Sequence, residues 1–203
     1  NLNRLMAVYD LVDRPDLKYA GFTPGVPSQL VNRNIFEAIR EGDVLLHHPF
    51  ESFGPVVDFV YRAANDPAVL AIKQTLYRTT ADSPIVASLV SAARAGTEVT
   101  ALVELRARFY DAANIELASK LQQAGAHDVY GVVGYKTHCK MMLVVRRENN
   151  GLRRYVHLGT GHYPPGTARA FTAYGLLSAI ERGGEAVRQV VMQLRSLRKT
   201  ARL

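Results

Sequence analysis

Val69-Leu-Ala-Ile-Lys-Gln-Thr-Leu76 is an apolar run that leads to Ser83-Pro84, then to Val86, Leu89, Val90 and Ala93, and closes at Gly96. Its length and branched side chains read as a buried strand. Ser83 supplies an N-cap, Pro84 the first helical turn and Gly96 the helix end, so a helix follows that strand. The unit then repeats. Val99 to Leu105 is the next strand, Asp111 caps a helix carrying Ile115, Ala118 and Leu121, Gly125 ends it, and Val129 to Val133 is a third strand. Strands alternating with short amphipathic helices predict an α/β fold, here a mainly parallel sheet with helices on both faces.

The same reading extends outward in both directions. Upstream, Asp43 to His48 is a short strand, and Pro55 opens a helix with Val56, Phe59, Val60 and Ala63 on one face. Residues 1–41 pair a short amphipathic pattern (Leu5, Val8, Tyr9, Leu11) with a connector marked by Pro15, Pro24, Gly25 and Pro27, which reads as the end of one unit leading into a second, residues 42–203. The opening at Asn1 has neither cap nor initiator methionine, so the chain is expected to be part of a longer protein. Downstream, Met141 to Arg147 and Leu152 to Leu158 flank Glu148-Asn-Asn-Gly151, a strong antiparallel hairpin signal at the C-terminal end. A loop rich in Gly and Pro spans Gly159 to Gly166, and Thr167 to Ser178 follows without an assigned element. A helix from Glu185 to about Lys199 ends the pattern, its Arg188, Arg195, Arg198 and Lys199 forming a basic face that reads as solvated, with an anion partner as the lesser alternative.

The chain has 203 residues, 48% of them hydrophobic, and a net charge of +7. Those proportions suit a globular core and exclude a disordered or membrane-spanning class, there being no apolar run of roughly 18 to 20 residues. The basic surplus points to an anionic partner or to a solvated surface, and composition does not separate them. One cysteine, Cys139, excludes an internal disulfide and fits a reducing cytoplasm. Membrane association of a full-length form stays an open alternative. On a strand Cys139 points away from its neighbours, which suits a small core residue better than a reactive thiol.

His138-Cys-Lys140 carries the chemistry. A histidine and a lysine two apart at a strand mouth project to one side, giving a nucleophile with a fixed positive charge beside it, a pairing that suits phosphorus chemistry. Arg78 follows one strand end and Arg108 the next, so the two guanidinium groups are expected at neighbouring strand ends, where ligands of open α/β sheets bind. His157 is either a second acid or base or a hydrogen-bonded structural residue. Gly159-Thr160-Gly161 offers backbone N–H groups to an oxyanion, a weak signal alone. His47 and His48 share a strand end with one side chain inward and are not read as ligands. The spacing suits neither a zinc nor a calcium site, whereas a divalent ion held by substrate phosphates fits.

These residues carry a family resemblance. The segments Asp43 to Phe53, Val69 to Arg78, Val103 to Phe109, Ala113 to Ile115, Tyr135 to Lys140, His157 to Gly161 and Thr167 to Arg169 resemble, in order, the first C-terminal catalytic domain of the polyphosphate kinase family that makes long-chain polyphosphate from ATP. Leu11 to Lys18 with Phe22 to Pro24 is similar to the end of that family's helical domain. The resemblance implies half of a phospholipase-D-like fold, with a second half facing it across the active site. It implies reversible transfer of the ATP γ-phosphoryl group to inorganic polyphosphate through a phosphohistidine at His138, to which the residues themselves add Lys140 as charge partner and His157 as a further catalytic candidate. Arg78 and Arg108 are implied at the phosphates, with Mg2+ in the same place through phosphate or water, and Phe171 at the nucleotide. The implied partners are ATP or ADP, polyphosphate, the N-terminal and second C-terminal domains of the same chain and, in full-length form, a homo-oligomer. Nucleic acid is not among them.

The sequence departs from the family pattern in four places. His162 stands where Asn is expected, Phe171 where Tyr is, Ala173 where Asp is, and Cys139 where alanine is usual. A phospholipase-D-like phosphodiesterase is the alternative reading, opposed by Val145 where that motif has Asp, and a polyanion-binding module without catalysis is a third.

Overall fold

The computed structural model describes residues 2–79, 82–105, 111–130, 136–163, 168–169 and 171–200. Seven strands, β1 (Val44–His48), β2 (Val69–Leu76), β3 (Glu98–Val103), β4 (His127–Tyr130), β5 (Lys140–Glu148), β6 (Gly151–Gly159) and β7 (Ala173–Ser178), form one sheet in the order β1-β7-β6-β5-β2-β3-β4. The helices are α1 (Val8–Leu11), α2 (Ile35–Glu41), α3 (Gly54–Asn65), α4 (Pro84–Arg94), α5 (Asp111–Gln123) and α6 (Glu181–Thr200), with short 3-10 turns before α2.

An α/β sheet with helices on both faces is found, but a mainly parallel one is not. Only β2 with β3 and β3 with β4 run parallel, while β1 with β7, β7 with β6, β6 with β5 and β5 with β2 are antiparallel. The reason is in the connections. Helices α4 and α5 each return the chain to a parallel neighbour, but α3 carries it from β1 at one edge to β2 deep in the sheet, and the later strands fill the gap by direct reversals. Local periodicity identifies strands without naming their partners.

Side-chain alternation divides the core in two. On one face Leu46, Ile72, Leu76, Ala101, Met142, Val144, Tyr155 and Leu177 pack with Phe59 and Val60 of α3, Val86 and Leu89 of α4, and Leu117 and Leu121 of α5. On the other, Leu102, Met141, Leu143 and Val156 meet Val187 and Val191 of α6. Each of these fully buried aliphatic side chains stabilises the fold by roughly 1.5–3 kcal/mol before entropy is charged.

The predicted helix signals hold with adjustments. Pro55 and Pro84 stand in the first turns of α3 and α4, while the Ser83 hydroxyl makes no capping bond. Asn34 caps α2, its Oδ1 accepting from Phe36 N at 2.9 Å. Gly96 and Gly125, after α4 and α5, share the left-handed φ of +93° and +92° that lets both helices end on Ala-Gly. The third repeat strand begins earlier than expected, at His127, and residues 131–133 lie outside the described residues. Helix α6 starts at Glu181, one turn before the expected Glu185. Strand β7 has no clear apolar alternation in the sequence. It owes its conformation to β1 and β6 on either side.

The connector joins the sheet through a bridge from Gly25 to Glu51, Gly25 N donating to Phe50 O at 3.0 Å and Ser52 N to Gly25 O at 2.7 Å. Leu5, Val8, Tyr9 and Leu11 are exposed. Among the described residues no helix is long and apolar enough to cross a membrane.

Candidate functional site

The segment before β5 is fixed by three polar residues that sequence reasoning did not single out. Thr75 on β2 donates its hydroxyl to Cys139 O at 2.7 Å and accepts from Met141 N at 3.0 Å, gripping the backbone on both sides of Lys140. Glu104, 3% exposed, accepts from Thr137 N at 2.8 Å. Asn114, buried on α5, donates to Tyr77 O and Glu104 O, both at 2.8 Å, and so ties the ends of β2 and β3 together. Polar residues interrupting the ends of apolar strands were the available signal, because a buried polar group must find a partner.

On that frame Lys140 folds back onto His138. Its Nζ lies 3.0 Å from Nδ1 and 3.0 Å from Nε2. A neutral imidazole keeps one lone pair for the ammonium, and a charged one keeps none. Partial burial, then the charges of Lys140, Arg78 and Lys136, hold His138 below the ordinary histidine range, so the ring is neutral at pH 7. Burial first, opposed by Cys139 and joined by Arg78, also lowers Lys140, which is 6% exposed. Burial pushes the Cys139 thiol up, away from the reactive thiolate.

Tyr77 and His162 complete the surroundings. The buried Tyr77 ring meets His138 edge to face, centres 4.6 Å apart, and stacks on His162 at 5.4 Å with 15° between planes. His138 and His162 stand edge to face at 5.7 Å. The Arg78 Cζ lies 5.7 Å and Lys140 Nζ 5.4 Å from the Tyr77 ring centre. Arg78 is thus brought to His138 and Lys140 as the strand ends predict. Arg108, its expected partner, lies outside the described residues.

Next to this group opens a cavity of about 390 Å³ lined by Arg78, His157, His162, Phe171 and Tyr174. Phe171 stands at its wall and is 64% exposed. His157 is different. It is 2% exposed, its Nδ1 lies 3.2 Å from the Tyr163 hydroxyl, and burial pushes it down to about 3. A ring so held stays neutral, and its place under Gly159, whose added Cβ would come 3.2 Å from His157 Cε1 and 3.7 Å from Lys140 Cβ, is that of a support. In the Gly159-Thr160-Gly161 loop, Thr160 N donates to Tyr174 O at 2.9 Å and Thr160 Oγ1 accepts from Tyr174 N at 2.9 Å, so that N–H is committed to β7. His48 points inward, its Nδ1–H donating to Glu51 O at 2.8 Å, while His47 stacks on Tyr174 at 4.7 Å.

A positively charged set of this kind does not itself hold a divalent cation, and among the described residues no cluster of three His, Cys, Asp or Glu side chains forms. A larger groove of about 840 Å³ beside α3 and α4 has Glu51, Asp58 and Arg169 as its charged lining, a balance that does not favour a polyanion.

Residues 34–200 match the family described as polyphosphate kinase C-terminal domain 1. The polyphosphate kinase of Burkholderia multivorans is 56% identical over 199 residues, which is 96% of this chain and 29% of the relative. The chain therefore spans less than a third of that relative's length. Among solved structures, the polyphosphate kinase of Porphyromonas gingivalis superposes with a TM-score of 0.79 at 30% identity, covering 90% of this chain and 31% of that one. Nuc from Salmonella typhimurium, a phospholipase D family member, gives a TM-score of 0.59 at 16% identity over 77% of this chain and 95% of its own, a likeness of fold alone.

Proposed function

The chain belongs to the family of polyphosphate kinase C-terminal domain 1, and from that premise we propose that it is one half of an ATP–polyphosphate phosphotransferase site with His138 as the nucleophile. The observation that carries this reading is the ammonium of Lys140, 3.0 Å from both nitrogens of an exposed, neutral imidazole. In the first step a ring nitrogen attacks the γ-phosphorus of ATP, a P–N bond forms, and the P–O bond breaks with its electron pair leaving on ADP. In the second step a terminal oxygen of polyphosphate attacks the same phosphorus and the nitrogen regains its pair. Lys140 moves from the ring edge to a phosphoryl oxygen as charge develops, and Arg78, with Arg108 proposed beside it, clamps the phosphates. Mg2+ would be held by oxygens of the nucleotide phosphates rather than by the described side chains, and would supply neutralisation of charge on the transferring phosphoryl group. Phe171 is proposed to stack on the nucleotide, and His157 to hold the wall beneath Gly159 rather than to exchange protons.

Two halves face each other in this reading, so the opposing half, with its own charged groups, completes the site, and the 203 residues alone are expected to be inactive in turnover. The phosphodiesterase reading is weaker, because Val145 packs with the α6-side cluster and supplies no carboxylate. The test is mass spectrometry of a protein containing this chain and the opposing half after incubation with ATP and Mg2+. An acid-labile phosphate on His138 supports the proposal; its absence, or its persistence elsewhere in a His138→Ala protein, refutes it.

A further inference from the structure

His162 lies outside the phosphotransfer roles assigned above, yet its ring is built into the same group. Its ring is clamped against Tyr77 at 5.4 Å and turned edge to face toward His138 at 5.7 Å, and it lines the cavity beside Arg78. Its Nδ1 is sealed from solvent and, among the described residues, has no hydrogen-bond partner. The residue as a whole is partly exposed, and of its two ring nitrogens Nδ1 alone is sealed, which leaves Nε2 as the open one. A neutral imidazole carries one N–H. With Nδ1 closed off from any acceptor, the proton is more favourably placed on Nε2, where water or a ligand oxygen can receive it. Burial, then the charges of Lys140, Arg78 and His138, hold His162 down to about 4, which keeps that arrangement neutral at pH 7.

We infer that His162 is a phosphate-binding residue of this chain, its Nε2–H donating to a non-bridging oxygen of the phosphate chain seated between His138 and Arg78. At 5.7 Å between centres the two rings are too close for an oxygen to lie between them and close enough for one phosphate group at their common mouth to meet both. A histidine here differs from a longer flexible donor in one respect: stacking on Tyr77 fixes its direction before the ligand arrives, so little rotamer freedom is lost on binding. It is also neutral, and so adds a donor without adding to the repulsion among Lys140, Arg78 and Lys136.

This inference deepens the proposed function and rests on a phosphate chain occupying that site, so its test avoids turnover. Binding of tripolyphosphate to a protein containing this chain and the opposing half is measured by calorimetry for the unaltered form and for Arg78→Gln, His162→Phe and His162→Gln. The Phe variant keeps the stack and loses the donor; the Gln variant keeps a donor without the ring. A hydrogen bond to a charged group predicts roughly a tenfold weaker affinity for Phe and a smaller loss for Gln. The His162 Nε2 resonance is expected to shift on titration with tripolyphosphate. Thermal unfolding is followed for each protein, with His162→Leu standing in should the Phe variant not melt cooperatively. Binding that Arg78→Gln weakens while the donor-free His162 variant leaves it unchanged overturns the inference and spares the phosphate site. Absence of tripolyphosphate binding in the unaltered two-half protein overturns both.

Discussion

Glu104 and Thr137, 33 residues apart, meet through one buried hydrogen bond, the Thr137 N–H donating to Glu104 Oε2 at 2.8 Å. That bond sets the backbone one residue before His138. Glu104→Ala leaves the N–H buried without its acceptor and is expected to cost about 1–3 kcal/mol in urea unfolding, whereas Glu104→Gln, which keeps an oxygen in place, costs less. Equal losses for the two variants would show that the negative charge, and not an oxygen in place, is what the Thr137 N–H requires.

The space above Gly175 is closed by two histidines. A Cβ there would stand 2.9 Å from His157 Nε2 and 3.4 Å from His48 Nε2. Gly175→Ala is therefore expected to destabilise by about 1–3 kcal/mol, the usual cost of overpacking a core. Gly161→Ala, whose Cβ would fall 2.7 Å from that of Ala173, is expected to behave similarly and to disturb the loop that bears His162. A melting temperature unchanged in both variants refutes this account of the wall.

Acid acts on the fold through the imidazoles. His157, held at about 3, and His162, held at about 4, both lie below the unfolded value near 6.5, so between pH 6.5 and 4 the unfolded chain binds more protons than the folded one. Stability is fully present above pH 6.5 and is lost as pH falls through that window, before the depressed carboxylates such as Glu148 contribute at lower pH. Urea midpoints at pH 7.5, 6.0 and 5.0 are expected to fall in that order. His157→Gln should flatten the slope; an equal slope in that variant removes His157 as its cause.

Lys140 is expected to govern both the charge state and the reactivity of His138. In Lys140→Met the loss of a positive charge raises the His138 pKa toward its ordinary value, readable by NMR titration. Phosphohistidine formation in a protein with both catalytic halves should fall by about 100-fold or more, the usual cost of deleting one preorganised electrostatic contact. A normal rate with a raised pKa would confine Lys140 to tuning the ring.

What the sequence disclosed depended on how far each signal reached. His138 and Lys140 are two apart, and their meeting was legible because strand geometry decides it locally. Arg78 was legible as a strand-end residue for the same reason. Thr75, Glu104 and Asn114 were not, because their partners are backbone atoms that only the folded sheet brings near: Cys139 and Met141 for Thr75, Thr137 for Glu104, Tyr77 and Glu104 for Asn114. His162 stood out in the sequence only as a departure from a family pattern; its stack on Tyr77 needs the loop after β6 to curl back over the end of β2. Strand directions were misjudged where α3 spans the sheet, since a helix between two strands indicates a crossover without saying how many strands it passes.

The reversal of β5 beside β2, with Gln74 opposite Met142, has a consequence for how the site came to be assembled. A strand laid the other way would deliver its first residue to the opposite rim of the sheet, stranding the ammonium a full strand length from the guanidinium of Arg78. Running head to tail instead, one strand finishes where its neighbour sets out, and a cation from each arrives at the same doorway without any long loop to carry it there.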